Sequence, residues 1–254
     1  MSTSDRGFLL ISDLDGTLLG NDAALERFRA FAAAQGPRLR VVYNSGRLFE
    51  SVCDSVAETA LPAPAAVIAG VGTEIRRVPG GKPVFGWPRL LGPWEPDRIR
   101  RRIAHCFPSM TLQPDEFQSR YKISYYAHDL SAADVARIRR RLTAAGHAVS
   151  TVYSSRRDLD ILPAGVNKGS AAAYLAGRWA FPPWRVIVAG DTGNDAAMFI
   201  RRFRGIVVGN ADAELRALHR RHVYQSRQAF ADGVVEGLRH WLTAGCEETI
   251  AEAV

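Results

Sequence analysis

The chain has 254 residues, 47% hydrophobic and 23% charged, with 33 Lys and Arg against 26 Asp and Glu for a formal net charge of +7. This is ordinary globular composition, long enough for one large domain or two unequal ones, and it excludes a disordered, collagen-like or disulfide-scaffold chain. No apolar run approaches the length of a membrane span, and the arginines are scattered over helix-like stretches, with runs only at 100–102 and 139–141, rather than gathered for nucleic acid.

Residues 1–6 lead directly into an apolar run with no signal-peptide pattern. Cys53, Cys106 and Cys246 are far apart, odd in number and without metal-ligand spacing, so they read as reduced thiols and a cytoplasmic setting is expected. The run Phe8-Leu9-Leu10-Ile11 predicts a buried parallel strand. It ends in Ser12-Asp13-Leu14-Asp15-Gly16-Thr17, with two carboxylates two residues apart at the strand tip. There they share one side of the sheet and project into the crevice where open α/β sheets place their chemistry. Gly16 allows a sharp turn and close approach to a ligand, and Thr17 suits an anion or fixes the turn. Asp13 at such a tip can attack phosphorus, and Asp15 can protonate a leaving oxygen and later activate water.

Residues 22–35 form an amphipathic helix with Leu25, Phe28, Phe31 and Ala32 on one face, stopped by Gly36-Pro37. A second strand, 39–43, ends in Asn44-Ser45-Gly46-Arg47 before a helix at 48–59. A small hydroxyl residue at a strand end, beside helix N-terminal amides, suits phosphate, which makes Ser45 and Gly46 phosphate-binding candidates. A third strand follows at 66–70, and the turn chemistry of 79–83 marks a boundary.

The pattern then changes. A helix at 96–106, a short segment at 110–112, an alternating strand at 121–126, a helix at 132–145 and strands at 148–153 and 158–162 predict an α+β insert. Domains are expected at 1–79 with 162–254, the larger α/β core, and at 80–161, a smaller cap. The core resumes with Asn167-Lys168-Gly169 opening a helix to 178. A buried strand at 185–189 ends in GDTGND (190–195), followed by a helix at 196–200, a strand at 205–208, a helix at 212–219, a short strand near 223–224 and a helix at 232–242. The tail beyond Gly245 is expected to fray.

A helix starting near Thr192 would place Asp191 and Asp195, spaced i and i+4, on one side. With Asp13 they make a hard, oxygen-only site suited to Mg²⁺. Lys168 could reach the phosphate and the nucleophile and offset their repulsion.

Asp13/Asp15, Ser45, Lys168 and Asp191/Asp195 match, in order, the four motifs of the haloacid dehalogenase-like superfamily, which this chain resembles over nearly its whole length. The resemblance implies a Rossmann-like parallel-sheet core with an inserted α+β cap, catalysis by Asp13, Asp15 and Lys168, and Mg²⁺ held at Asp13, Asp15, Asp191 and Asp195. VGTEI (71–75), LQP (112–114), YKISYY (121–126), RDLDILP (157–163), NKG (167–169) and GIVVGNADAEL (205–215) are similar to the sucrose-phosphate phosphatase branch. Within it, NSGRL (44–48), AGDTGNDAAMF (189–199) and ADGVVEGLRHW (231–241) most resemble mannosylfructose-phosphate phosphatases.

That likeness implies hydrolysis of a fructose-containing disaccharide phosphate, with Lys122 and Gln118 as sugar contacts in the cap. It implies a small-molecule sugar phosphate as substrate and a glycosyltransferase making that substrate as a partner, with no nucleic acid and no membrane. A trehalose-phosphate or mannosyl-phosphoglycerate type phosphatase, a phosphosugar mutase and a non-catalytic module beside a glycosyltransferase are the alternatives.

Overall fold

The computed structural model describes residues 7–199 and 202–243. Residues 1–6, Ile200 at the expected end of a helix, and the tail beyond Gly245 with Cys246 lie outside the described residues. The chain runs β1 (Phe8–Ser12), α1 (Asp22–Gln35), β2 (Leu39–Asn44), α2 (Phe49–Glu58), β3 (Ala66–Ala69) and β4 (Glu74–Arg77) before entering a second unit. That unit holds α3 (Pro96–Cys106), β5 (Thr111–Leu112), β6 (Ile123–Tyr126), α4 (Ala132–Ala144), β7 (Val149–Ser154) and β8 (Asp158–Pro163). The return leg is α5 (Lys168–Arg178), β9 (Val186–Gly190), α6 (Ala196–Phe199), β10 (Arg204–Val207), α7 (Ala213–Arg216), β11 (Val223–Gln225) and α8 (Phe230–Thr243).

The larger sheet has the order β11-β10-β9-β1-β2-β3-β4, parallel except for β4 against β3. β1 is central and its Leu9, Leu10 and Ile11 are fully buried, as expected of an unbroken apolar run in a parallel sheet. Because β2 lies on one side of β1 and β9 on the other, the strand order reverses at β1. The crevice this opens at the carboxyl ends of the strands is where Asp13 emerges.

Helix α1 begins where Asn21 caps it, accepting the Ala24 N–H at 2.9 Å, and buries Ala24, Leu25, Phe28 and Ala32. It stops at Gly36, whose φ of 51° a side chain would resist. Helix α5 opens with a reciprocal cap: Asn167 accepts the Ser170 N–H while Ser170 accepts the Asn167 N–H.

β5-β6-β8-β7 form a second, antiparallel sheet. Its alternation is clean. The cross-strand pairs Ile123–Ile161 and Tyr125–Leu159 pack with Ile99 and Ile103 of α3 and Ile138 and Leu142 of α4. The intervening pair Ser124–Asp160 points to the other face, where Leu162 and Val152 join the larger hydrophobic cluster. The polar face of this sheet is therefore turned toward the core, and its edge strand β7 touches the turn at 193–195.

Two expectations change and one strand is new. The segment after residue 80 does not pack as part of the insert at once: Val84, Trp87 and Leu91 bury themselves in the larger cluster. β4 was not foreseen, because as an edge strand it buries only Ile75 among Glu74, Arg76 and Arg77. The helix expected at 212–219 is the single turn α7, capped by Asp212 and anchored by Leu215 alone.

Candidate active site

Asp13 continues the β1–β9 ladder, its N–H donating to Ala189 O at 3.0 Å, and the residue is 4% exposed. The chain then folds tightly, with Leu14 O accepting from the N–H groups of Thr17, Leu18 and Leu19. Gly16 makes the turn possible at φ 79°, and a Cβ there would stand 2.2 Å from Asp191 Oδ2. Thr17, fully buried, spans two carboxylates, its Oγ lying 3.2 Å from Asp13 Oδ2 and 3.0 Å from Asp191 Oδ1.

Lys168, the first residue of α5, is 1% exposed and donates to Asp13 Oδ1 and Asp195 Oδ1, both at 2.6 Å. Its helix is tied to the tip of β2, where Asn44 Nδ2 donates to Lys168 O at 3.0 Å. Burial works against the Lys168 charge, but the carboxylates of Asp13 and Asp195 outweigh it and hold the ammonium above its ordinary range.

Asp191 and Asp195 do not share a helix face as the spacing predicts. Asp191 follows β9, and residues 193–195 form a 3-10 turn ahead of α6. Asp195 folds back instead: its Oδ2 accepts the N–H groups of Asp191 and Thr192 at 3.1 and 3.2 Å. Both Asp195 oxygens are thus engaged, one by Lys168 and one by backbone N–H groups, so Asp195 braces the site, while Asp13 shares one oxygen with Lys168 and turns the other, like Asp191 Oδ1, toward the Thr17 hydroxyl.

Carboxylate oxygens of Asp13, Asp191 and Asp195 lie within 4.8 Å of one another. Burial pushes Asp13 well above the ordinary carboxylate range, Lys168 opposes this, and Asp195 and Asp191 add to it. Asp191 is pushed up to about 6, first by burial and then by Asp195, against Thr17 and Lys168. Three buried carboxylates facing one ammonium leave an excess of two negative charges, and a divalent cation with a taste for oxygen relieves it. The donor set therefore fits Mg²⁺.

Asp15 stands apart. Its carboxylate is half exposed and held by Arg47, with Nε 2.8 Å from Oδ2 and a terminal nitrogen on Oδ1. Its side chain does not join the cluster of the Asp13, Asp191 and Asp195 carboxylates. The pairing was not legible in the sequence, although Arg47 directly follows Ser45-Gly46.

Ser45 is fully buried one residue beyond β2 and accepts the Arg47 N–H at 3.1 Å. Since Ser12 pairs with Tyr43, Ser45 lies alongside the tip that carries Asp13. Gly46 forms the bend behind it, where a Cβ would stand 3.8 Å from Val71 Cγ2.

Just ahead of β6, Lys122 is 5% exposed and reaches Asp160 at 3.4 Å, while Ser124 Oγ donates to the same Asp160 oxygen at 2.5 Å. These groups belong to the core-facing side. Gln118, expected to meet the sugar, is engaged within its own loop. Its Nε2 donates to Gln113 O and Ser124 O, and its Oε1 accepts the Ser124 N–H, so the amide braces its own loop. Asp160, not foreseen as a site residue, is the polar group that accompanies Lys122.

A parallel sheet that brings Asp13, Lys168 and Asp191 to its central crevice, under a second sheet with a polar inner face, defines a haloacid dehalogenase-like hydrolase. A haloacid dehalogenase-like hydrolase of Bacillus subtilis shares this fold, with a TM-score of 0.65 at 16% identity, over 92% of each chain. The sucrose-phosphatase of Synechocystis, solved with sucrose and phosphate, superimposes with a TM-score of 0.85 at 30% identity, over 93% of this chain and 98% of that one. The mannosylfructose-phosphate phosphatase of Agrobacterium fabrum is 40% identical over 238 residues, 92% of this chain and 96% of that one. The family model for sucrose-6F-phosphate phosphohydrolase matches residues 6–242, and the chain belongs to that family. It is a sugar phosphatase, a phosphoric monoester hydrolase. No helix among the described residues is long and apolar enough to cross a membrane.

Proposed function

We propose that this phosphatase hydrolyses the phosphate monoester of a fructose-containing disaccharide, mannosylfructose phosphate or sucrose 6-phosphate, with Mg²⁺ as cofactor and through an aspartyl-phosphate on Asp13. The observation that carries the chemistry is the fixing of Asp13: Lys168 holds one oxygen at 2.6 Å and Thr17 stands 3.2 Å from the other, so the carboxylate is oriented before substrate arrives. The likeness to the two disaccharide phosphatases supports the substrate class.

Asp13 attacks phosphorus while Lys168 offsets the charge that gathers between carboxylate and phosphate. Ser45 and Gly46 hold phosphate oxygens at the tip of β2. Asp15 gives a proton to the departing sugar oxygen and takes one from the water that later opens the aspartyl-phosphate. Asp13 and Asp191, braced by Asp195, would hold Mg²⁺, which when bound neutralises charge on the phosphate. The polar face of the smaller sheet, with Lys122 and Asp160, closes over the sugar and selects it, and the divide of core and cap assigns chemistry to one and choice of sugar to the other. A glycosyltransferase that makes the phosphorylated disaccharide is the partner this reading implies.

A phosphate-release screen with Mg²⁺ tests it. Mannosylfructose phosphate or sucrose 6-phosphate should give the highest kcat/KM, above trehalose 6-phosphate, mannosylglycerate phosphate and monosaccharide phosphates. A preference for a monosaccharide phosphate, or interconversion of isomers without phosphate release, would overturn it.

A further inference from the structure

Of the carboxylates at this site, Asp15 alone is tied to an arginine. Both its oxygens are taken by Arg47, through Nε and one terminal nitrogen. Arg47 is itself fixed at three other points. Its remaining terminal nitrogen donates to Ser55 Oγ at 2.9 Å, on the buried side of α2. Its own N–H donates to Ser45 Oγ at 3.1 Å, and its C=O accepts the Gly70 N–H at 2.8 Å. A guanidinium fork in this two-point grip fixes the plane of a carboxylate as well as its position, which a lysine cannot do.

Stability does not account for such an arrangement. The paired side chains are 37% and 51% exposed, and ion pairs that open to water contribute little to folding. The grip also comes from the loop that carries Ser45, so the expected phosphate hydroxyl and the holder of the acid–base group are two residues apart on one rigid segment.

We propose that Arg47 is a positioning residue for the hydrolysis, acting through Asp15. By fixing both oxygens of Asp15 it sets the direction from which that group meets the leaving oxygen and then water. This rests on the reading of Asp15 as the acid–base group. In the first half-reaction the Asp15 carboxyl gives its proton to the sugar oxygen as that oxygen's bond to phosphorus breaks and the Asp13–phosphorus bond forms. In the second, the Asp15 carboxylate takes a proton from water as the water oxygen bonds to phosphorus and the Asp13–phosphorus bond breaks. The protein returns unchanged. Arg47 does not exchange a proton in either half and need not touch the phosphate.

A double-mutant cycle separates this role from direct phosphate binding. Asp15→Asn, Arg47→Ala, Arg47→Lys and the Asp15→Asn/Arg47→Ala pair are assayed on p-nitrophenyl phosphate with Mg²⁺, and inorganic phosphate is measured as a competitive inhibitor. Arg47→Ala should lower kcat by about tenfold or more while the phosphate inhibition constant moves by less than about twofold. Arg47→Lys should recover only part of the loss, and free guanidinium at non-denaturing concentration should partly rescue Arg47→Ala. In the Asp15→Asn background, Arg47→Ala should cost less than about twofold more.

Multiplicative losses, or a weakened inhibition by phosphate, would place Arg47 on the phosphate and overturn the proposal. So would full activity of Arg47→Ala alongside an impaired Asp15→Asn. Full activity of Asp15→Asn itself would instead remove the acid–base reading on which the proposal stands. Arg47→Lys, which keeps the charge and the bulk, keeps the test decisive if Arg47→Ala folds poorly.

Discussion

Lys168 Nζ lies 2.6 Å from Asp13 Oδ1, although 155 residues separate them in the chain. The contact exists because β1 is central in its sheet and α5 starts at the end of the segment that returns from the insert. A charged lysine pressed against one oxygen leaves Asp13 with one orientation and one freer oxygen. Asp13→Asn keeps the shape and removes the attacking charge, so kcat should fall by a factor equivalent to several kcal/mol of barrier, roughly 4 or more. Steady-state turnover on the best sugar phosphate checks this, and near-normal hydrolysis would sink the covalent route.

The crowding of Asp13, Asp191 and Asp195 makes a signed prediction about pH and metal. Asp191 is pushed up to about 6 from an ordinary value of 3.8, chiefly by burial. Between those values the folded chain binds more protons than the unfolded one, so the contribution of Asp191 to metal-free stability is full below pH 4 and is lost as pH rises through 6. The loss is on the order of 3 kcal/mol. A divalent cation favours the ionised carboxylates and restores it. Melting temperatures in EDTA and in Mg²⁺ should therefore diverge more at pH 7 than at pH 4.5. EDTA should abolish activity, Mg²⁺ should restore it, and Ca²⁺, with a larger and looser shell, should inhibit. An equal Mg²⁺ increment at both pH values would show that the cluster is not the metal site.

Gly16→Ala should be costly for two separable reasons. At φ 79° a side chain adds about 1–2 kcal/mol of backbone strain. The new methyl would also fall 2.2 Å from Asp191 Oδ2, so that Asp191 must swing away. A lower melting temperature and a raised Mg²⁺ concentration for half-maximal activity are expected together. A variant that loses stability but keeps its Mg²⁺ requirement would mean that Asp191 does not hold the ion.

Lys122 and Gln118 should behave differently despite their closeness in sequence. Lys122→Ala should raise KM for the disaccharide phosphate strongly and for p-nitrophenyl phosphate only slightly, because the small ester does not reach the insert. It should also lower the melting temperature, since Asp160 is left buried beside Ser124 without its cation. Gln118→Ala should lower the melting temperature through the loop it braces and leave the ratio of the two KM values unchanged. Equal KM changes on both substrates for Lys122→Ala would move Lys122 from sugar recognition to plain stability.

Much of this fold can be read from local pattern. β1, β2, β3 and β9 announce themselves as apolar runs, and α1 and α3 as amphipathic stretches bounded by Asn21 and Gly36, and by Pro96. Asp13, Lys168 and Asp191 could be paired in advance because each opens or closes a regular element at the same end of the sheet. What the sequence hides is decided by contacts between distant segments. The i and i+4 spacing of Asp191 and Asp195 fits a helix as well as it fits a 3-10 turn folded back on its own N–H groups. Gln118 resembles an open polar side chain until the backbone of Ser124 and Gln113 closes around it. Val84, Trp87 and Leu91 are single apolar residues among prolines and glycines, and nothing local says which of two cores receives them.

The register of β6 against β8 carries a consequence of its own. Ile123 faces Ile161 and Tyr125 faces Leu159 on the helix side, while Ser124 faces Asp160 on the other. Ser124 and Asp160 thus stand outside the hydrophobic interior of the insert, whereas Leu162 on the same face is fixed by the larger hydrophobic cluster. If this face meets the sugar, as proposed, selection on the choice of sugar acts there against the cost of unpairing Lys122 and Asp160 rather than through the apolar interior of the insert. The surface could be redrawn by a few substitutions at alternate positions, whereas a shift of one residue in the pairing would exchange both faces at once.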